Sequence, residues 1–190
     1  RSMMRQDPDI ILVGEIRDED TAGIAFRAAM TGHQVFSTLH ANSAIGAIPR
    51  LIDMGVRPDI MAGNLIGILA QRLVRRLRKG CAELYDPAPI ERRILALDDA
   101  QQVQICRVAP EFRHAEHQGY EGRTALMELL KFDRDLDDLI ARGASARELL
   151  AAAHSKGFVP LADVAVKRVL DGVTTLDEIS RVVDLTDRVG

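Results

Sequence analysis

Two short apolar runs, each closing on polar residues, constrain this chain more than any other feature. Residues 7–40 read DPDIILVGEIRDEDTAGIAFRAAMTGHQVFSTLH. Ile10 to Val13 are apolar without alternation and rich in Ile, which reads as a fully buried strand. The run stops at Gly14-Glu15. A helical pattern follows, then Gly32-His33, then a second strand from Val35 to Leu39. Each strand thus delivers polar residues at its carboxyl end, Glu15 after the first and Ser37, Thr38 and His40 around the end of the second. In open α/β sheets that edge is where ligands bind. A carboxylate just past a buried strand is also how nucleotide-hydrolysing folds hold Mg²⁺ and order water.

The helix between the strands has its own signals. Asp18 is an N-cap, the helix runs to about Thr31, and Gly32 stops it. Ala22, Ala25, Ala28 and Ala29 give it a small face for close approach to a sheet. Ser43 caps a helix to Met54, ended by Gly55. Pro58 opens another, carrying Ile60, Leu65, Ile68 and Leu69, and residues 72–77 read as a strand. Residues 79–118 differ in texture, with Pro87, Pro89 and Pro110, one short charged helix around 90–97 and no long period. Strand character returns at 123–130, and the last third is helical. Asp133 or Asp135 starts one helix, and Ser145-x-x-Glu148 is a capping box for a second. A third runs from Pro160 to Gly172, and Thr175-x-x-Glu178 is a capping box for a fourth.

Composition excludes several classes. At 190 residues, 47% hydrophobic and 28% charged, the chain is long enough for one domain or one and a half. A net charge of −3 argues against a nucleic-acid binder. The basic run Arg72, Arg75, Arg76, Arg78 and Lys79 is either a solvated face or a phosphate or partner contact. Two distant cysteines make no disulfide framework and fit a reducing cytosol. No apolar run has transmembrane length, so membrane association is expected only through partners.

Four stretches resemble one family. DPDIILVGEIRD resembles the Walker B region of the traffic ATPases of type II secretion and type IV pilus assembly, and TGHQVFSTLHANSA resembles their His box. ILAQRLVRRL and GYEGRTALMELL resemble two further stretches in the same order and spacing, covering the chain to about Leu130. The resemblance implies the C-terminal part of a RecA-like P-loop sheet at residues 1–130, a module inserted at 78–118, and a helical subdomain at 131–190. It implies ATP and Mg²⁺ as cofactors, a homo-hexamer, and partnership with the cytoplasmic domain of an inner-membrane platform protein. The expected location is cytoplasmic and peripheral to that membrane.

The same resemblance marks site residues. Glu15 holds Mg²⁺, directly or through water, or positions the attacking water; the plain alternative is a helix-capping acid. His40 reads the γ-phosphate, and His33 is carried over with it. Arg5 and Arg17 flank the first strand at positions that are arginine in the family; in ring ATPases arginines reach across a subunit boundary to stabilise the charge on the transferred phosphoryl, and the plain alternative is a solubilising role. Gln71 and Arg72, and Arg123, match stretches at the nucleotide edge or an interface, with a structural role the alternative. Asp9, ahead of its strand, reads as structural.

Many relatives hold a structural zinc with two CxxC pairs in the inserted segment. Alignment here puts Arg78 and Cys81 at the first pair and Phe112 and Ala115 at the second. Three of the four ligands are missing, and the spacing of Cys106, His114 and His117 follows no known zinc pattern. A metal-free module is expected. No GxxxxGK[ST] loop occurs, which reads as a fragment inactive alone but belonging to an active ATPase. The alternative is a truncated, non-catalytic interaction module of the same machinery. The inserted module argues against a pilus retraction motor.

Overall fold

The structure, a computed structural model, describes residues 8–98 and 100–188. Arg5 lies outside the described residues. In chain order the elements are β1 (Ile10–Val13), α1 (Glu19–Met30), β2 (Gln34–Ser37), α2 (Ala47–Asp53), α3 (Pro58–Met61) and β3 (Gly67–Leu77). Then come β4 (Ala82–Tyr85), α4 (Pro89–Ile94), β5 (Ile105–Val108), β6 (Tyr120–Lys131), α5 (Arg134–Ala141), α6 (Ala146–Ser155), α7 (Leu161–Leu170) and α8 (Leu176–Ile179). They form two compact units. One comprises residues 8–70 and 129–158, the other 71–128 and 159–188. The helices after β6 are therefore shared, α5 and α6 in the first unit, α7 and α8 in the second.

The first unit is built on the β1–α1–β2 crossover. β1 and β2 pair in parallel, Ile10 beside Gln34 through to Val13 beside Ser37. Asp18 caps α1 by accepting the Thr21 N–H at 2.8 Å, and Gly32, at φ +92°, releases the chain from its end. Ala22, Ala25 and Ala28 are buried, and Val13 and Val35 pack against the same cluster as Ala22, Ala25 and Phe26. The reading of β1 as fully buried is corrected here. Ile11 is buried, but Ile10 and Leu12 are 59% and 73% exposed. Among the described residues β1 pairs only with β2, and the sheet face that carries Ile10, Leu12 and Phe36 is exposed.

Two helix boundaries and one strand start also shift, and one open choice of cap is resolved. The helix expected from Ser43 begins at Ala47, because the Ser43 hydroxyl instead accepts the Gly46 N–H at 3.0 Å and rounds a turn. The helix begun by Pro58 ends at Met61. Asn64 Nδ2 donates to the Ile60 carbonyl at 2.8 Å and Gly63 takes φ +75°, so the chain turns out of the helix. Ile68 and Leu69 then enter β3, which starts five residues before the expected Arg72. In α5, Asp133 rather than Asp135 is the cap, accepting the Leu136 N–H at 3.1 Å.

The second unit contains the β4–β5 antiparallel ladder, with Leu84 opposite Cys106. Leu95 and Ile105 join Val74, Leu126, Val169 and Ile179 in one buried cluster. Arg75, on β3, is the polar hub of this unit. Its Nε and Nη2 donate to Glu178 Oε2 at 2.9 and 2.6 Å, and its backbone N–H donates to Glu178 Oε1 at 3.0 Å. Nη1 donates to Gln118 Oε1 at 3.0 Å, and the guanidinium lies 4.1 Å from the Tyr120 ring centroid. Tyr120 Oη is 2.7 Å from Thr175 Oγ1. Arg75 thus neither sits in a solvated run nor waits for a phosphate. Thr175 does cap α8, accepting the Glu178 N–H at 3.1 Å, but the Glu178 carboxylate goes to Arg75 instead of closing the capping box.

Candidate functional site at the ends of the parallel strands

The polar residues gather just beyond the carboxyl ends of β1 and β2, where Val13 lies beside Ser37. The Ile16 N–H donates to the Thr38 carbonyl at 2.8 Å, and Thr38 Oγ1 donates to the Gly14 carbonyl at 2.7 Å. Glu15 sits between those two tied peptides. Its Oε2 accepts from Arg17 Nε at 2.6 Å and lies 2.5 Å from Nη2. Its Oε1 lies 3.0 Å from His40 Nε2. Oε1 is nevertheless a buried atom that takes no hydrogen bond among the described residues.

The electrostatics follow from those neighbours. The Arg17 hydrogen bond holds the Glu15 carboxyl below its ordinary range. Partial desolvation opposes this, and the Coulombic influence of Arg17, with a smaller one from His40, reinforces it. The same bond, with the Glu15 charge, raises Arg17. Glu15 is therefore anionic at neutral pH. It is only 20% exposed, against 89% for the His40 side chain and 75% for Arg17. A shielded carboxylate thus lies beside two solvent-facing side chains, Arg17 and His40.

Of the expected site residues, the fold brings Glu15, Arg17 and His40 together. His33 serves the end of α1. Its Nδ1 lies 3.0 Å from Thr31 Oγ1 and 3.1 Å from the Ala28 carbonyl oxygen. Arg72 and Arg123 belong to the second unit. Arg72 Nη1 donates to the Gln71 carbonyl at 2.9 Å, and Arg123 lines a shallow hollow with Arg75, His117 and Tyr120. Asp9 offers its backbone carbonyl to the Gln34 N–H at 3.0 Å, a ladder contact. Thr38 also ties the site together, and nothing in the sequence spacing reveals its bond to a carbonyl 24 positions back.

Two metals can be tested against these side chains. Mg²⁺ prefers oxygen ligands and is held by one or two carboxylates with waters. The anionic Glu15, with an oxygen that lacks a hydrogen bond, suits it. A stable zinc site needs three or four protein ligands from Cys, His, Asp or Glu. Arg78, Cys81, Phe112 and Ala115 do line one hollow in the second unit, together with Glu116 and His117. A cation and two hydrocarbon side chains cannot ligate zinc. Among the described residues no three His, Cys, Asp or Glu gather as a metal-holding group.

This arrangement defines a mixed α/β protein with its polar cluster at the carboxyl edge of parallel strands. Two solved structures share the fold: the X-ray structures of the ATPase DotB from Yersinia pseudotuberculosis and from Legionella pneumophila. Their TM-scores are 0.65 and 0.61, at 22% and 20% identity, covering 98% and 95% of this chain and 39% and 40% of theirs. The sequence profile described as Type II/IV secretion system protein matches residues 1–181, and the chain belongs to that family. It is 44% identical to the type II secretion system protein E of Pseudomonas aeruginosa over 96% of this chain and 36% of that protein. It is also 44% identical to the type IV pilus assembly ATPase PilB of Thermus thermophilus, over 94% of this chain and 20% of that protein. The chain thus spans about a third or less of the length of these curated relatives. Among the described residues no helix is long and apolar enough to cross a membrane.

Proposed function

We propose that these residues form the C-terminal part of a hexameric ATPase that powers type II protein secretion or type IV pilus assembly. The observation that carries this reading is the Glu15 carboxylate, anionic and shielded, with one oxygen on Arg17 and the other without a hydrogen bond beside His40. In this reading residues 1–130 belong to a RecA-like domain with a module at 78–118, and 131–190 are its helical subdomain. A bound Mg²⁺ would neutralise charge building on the phosphates and their leaving oxygen. Glu15 would hold that ion or its water. Arg17 fixes the carboxylate by its two-point contact, and His40, exposed and adjacent, would turn to the γ-phosphate. Arg5, Arg72 and Arg123 are proposed to face nucleotide or a neighbouring subunit, and His33 to support the loop. The partners would be copies of the chain and a cytoplasmic domain of an inner-membrane platform protein, which keeps the ATPase peripheral to the membrane. The 190 residues alone, without a phosphate-binding loop, are proposed to be inactive.

His40 tests this reading. A sensor acts only through different contacts with the two states. His40→Ala in the full-length protein is expected to weaken a non-hydrolysable ATP analogue by about tenfold, the scale of one hydrogen bond to a charged group. ADP affinity and melting temperature should hold. Equal weakening of both nucleotides with a lower melting temperature would make His40 a packing residue and favour a non-catalytic interaction module.

The module at 78–118 is proposed to be metal-free. Tyr85 and Arg107 do part of the work a metal would do. Tyr85 Oη donates to Glu91 Oε1 at 2.8 Å, Arg107 lies 4.8 Å from the Tyr85 ring centroid, and its Nε donates to Glu83 at 2.6 Å. Elemental analysis of protein purified without a metal-affinity tag is expected to give well under one zinc per chain. One zinc per chain, lost with Cys81→Ser, would overturn this and implicate Cys106, His114 or His117.

A further inference from the structure

Glu15 is tied on both sides to one residue. Thr38 takes the Ile16 N–H on its carbonyl at 2.8 Å and gives its hydroxyl to the Gly14 carbonyl at 2.7 Å. The peptides before and after Glu15 thus share a single anchor. After the carboxylate the turn is also held by the Ile16 side chain, 6% exposed and part of the core cluster, whereas on the Gly14 side no side chain packs. A Cβ built on Gly14 would meet nothing within 4 Å, and the carboxylate's own partners, Arg17 and His40, are long or exposed side chains facing solvent. With one bond the turn could pivot about Ile16, whereas two bonds on opposite sides of Glu15 leave it one orientation. Thr suits this task, because its branched Cβ narrows the rotamers open to the hydroxyl.

We propose that Thr38 is the positioning residue for Glu15, its hydroxyl and its carbonyl together fixing the two peptides that flank the carboxylate. Its importance to turnover rests on the reading of Glu15 as the group that holds Mg²⁺ or water. Groups that orient a metal-holding residue matter to activity by roughly 10- to 100-fold when removed.

Thr38→Val keeps the shape and removes the donor; Thr38→Ser keeps the donor. Hydrogen exchange on the 190-residue chain reads the geometry without nucleotide. The Ile16 amide should exchange about three- to tenfold faster in Thr38→Val, the scale of one lost hydrogen bond, with α5 and α6 unchanged. Thr38→Ser should restore protection. In the full-length protein Thr38→Val should lower kcat roughly 10- to 100-fold with KM for ATP and melting temperature nearly unchanged, and Thr38→Ser should recover most of it. In single-turnover measurements, adding Thr38→Val to Glu15→Gln should slow the reaction no further, because Thr38 acts through Glu15. Unchanged Ile16 exchange in Thr38→Val, independent multiplication of the two effects, or a serine variant as impaired as valine would overturn the proposal. Full turnover in Glu15→Gln would instead remove the reading of Glu15, and the exchange result would still decide whether Thr38 holds the turn.

Discussion

Glu15→Gln in the full-length protein is expected to abolish ATP turnover, by roughly 10²–10³-fold or more, while ATP still binds. Glutamine preserves the size and planarity of the side chain. It loses the charge that would hold a metal or order water, and it weakens the attraction that keeps Arg17 Nε 2.6 Å from Oε2. Nucleotide binding should survive, because the fold around Glu15 depends on backbone and apolar contacts. Those are the β1–β2 ladder and the packing of Val13 and Val35 with Ala22, Ala25 and Phe26. Turnover and nucleotide affinity measured on one preparation separate the roles. Loss of both, with a lowered melting temperature, would make Glu15 a structural carboxylate.

Arg75→Ala is expected to destabilise the second unit by about 3 kcal/mol, because it strands Glu178 without its partner in a buried position. Glu178 is 6% exposed, and Arg75 gives it three hydrogen bonds. Burial alone would raise the Glu178 carboxyl, but the Arg75 bonds, with the charges of Arg75 and Arg181, outweigh it and hold the group below its ordinary value. A carboxyl group so depressed in the folded state stabilises the fold above its unfolded value of about 4.3, and that contribution is lost as pH falls through the folded value. The stability gap between wild type and Arg75→Ala should therefore be full at pH 7 and shrink below about pH 4. Urea unfolding at both pH values checks this. A gap that stays constant would assign the loss to the stacked Tyr120 contact instead.

The sequence carried the local signals well and the long-range ones poorly. Asp18, Gly32, Asp133 and Ser145 mark helix ends by chemistry confined to three or four residues, and the structure uses each so. The juxtaposition of Glu15 with His40 was legible because both follow the same edge of adjacent parallel strands. The exposure of Ile10 and Leu12 was not legible, since an apolar run does not reveal how many strands and helices cover it. The Arg75–Glu178 pair spans 103 positions, so its members looked like part of a basic run and half of a capping box. Thr38 was hidden in the same way. Its function lies in a bond to a main-chain carbonyl, for which residue type at the partner position says nothing.

The most direct test is a structure of the full-length protein with Mg²⁺ and a non-hydrolysable ATP analogue. Glu15 should contact the metal or one of its waters through the oxygen that now lacks a hydrogen bond, with Oε2 still on Arg17. His40 Nε2 should have left Glu15 Oε1 for a γ-phosphate oxygen. Bound nucleotide and metal with Glu15 screened from both by protein side chains, and His40 still on Glu15, would contradict the account.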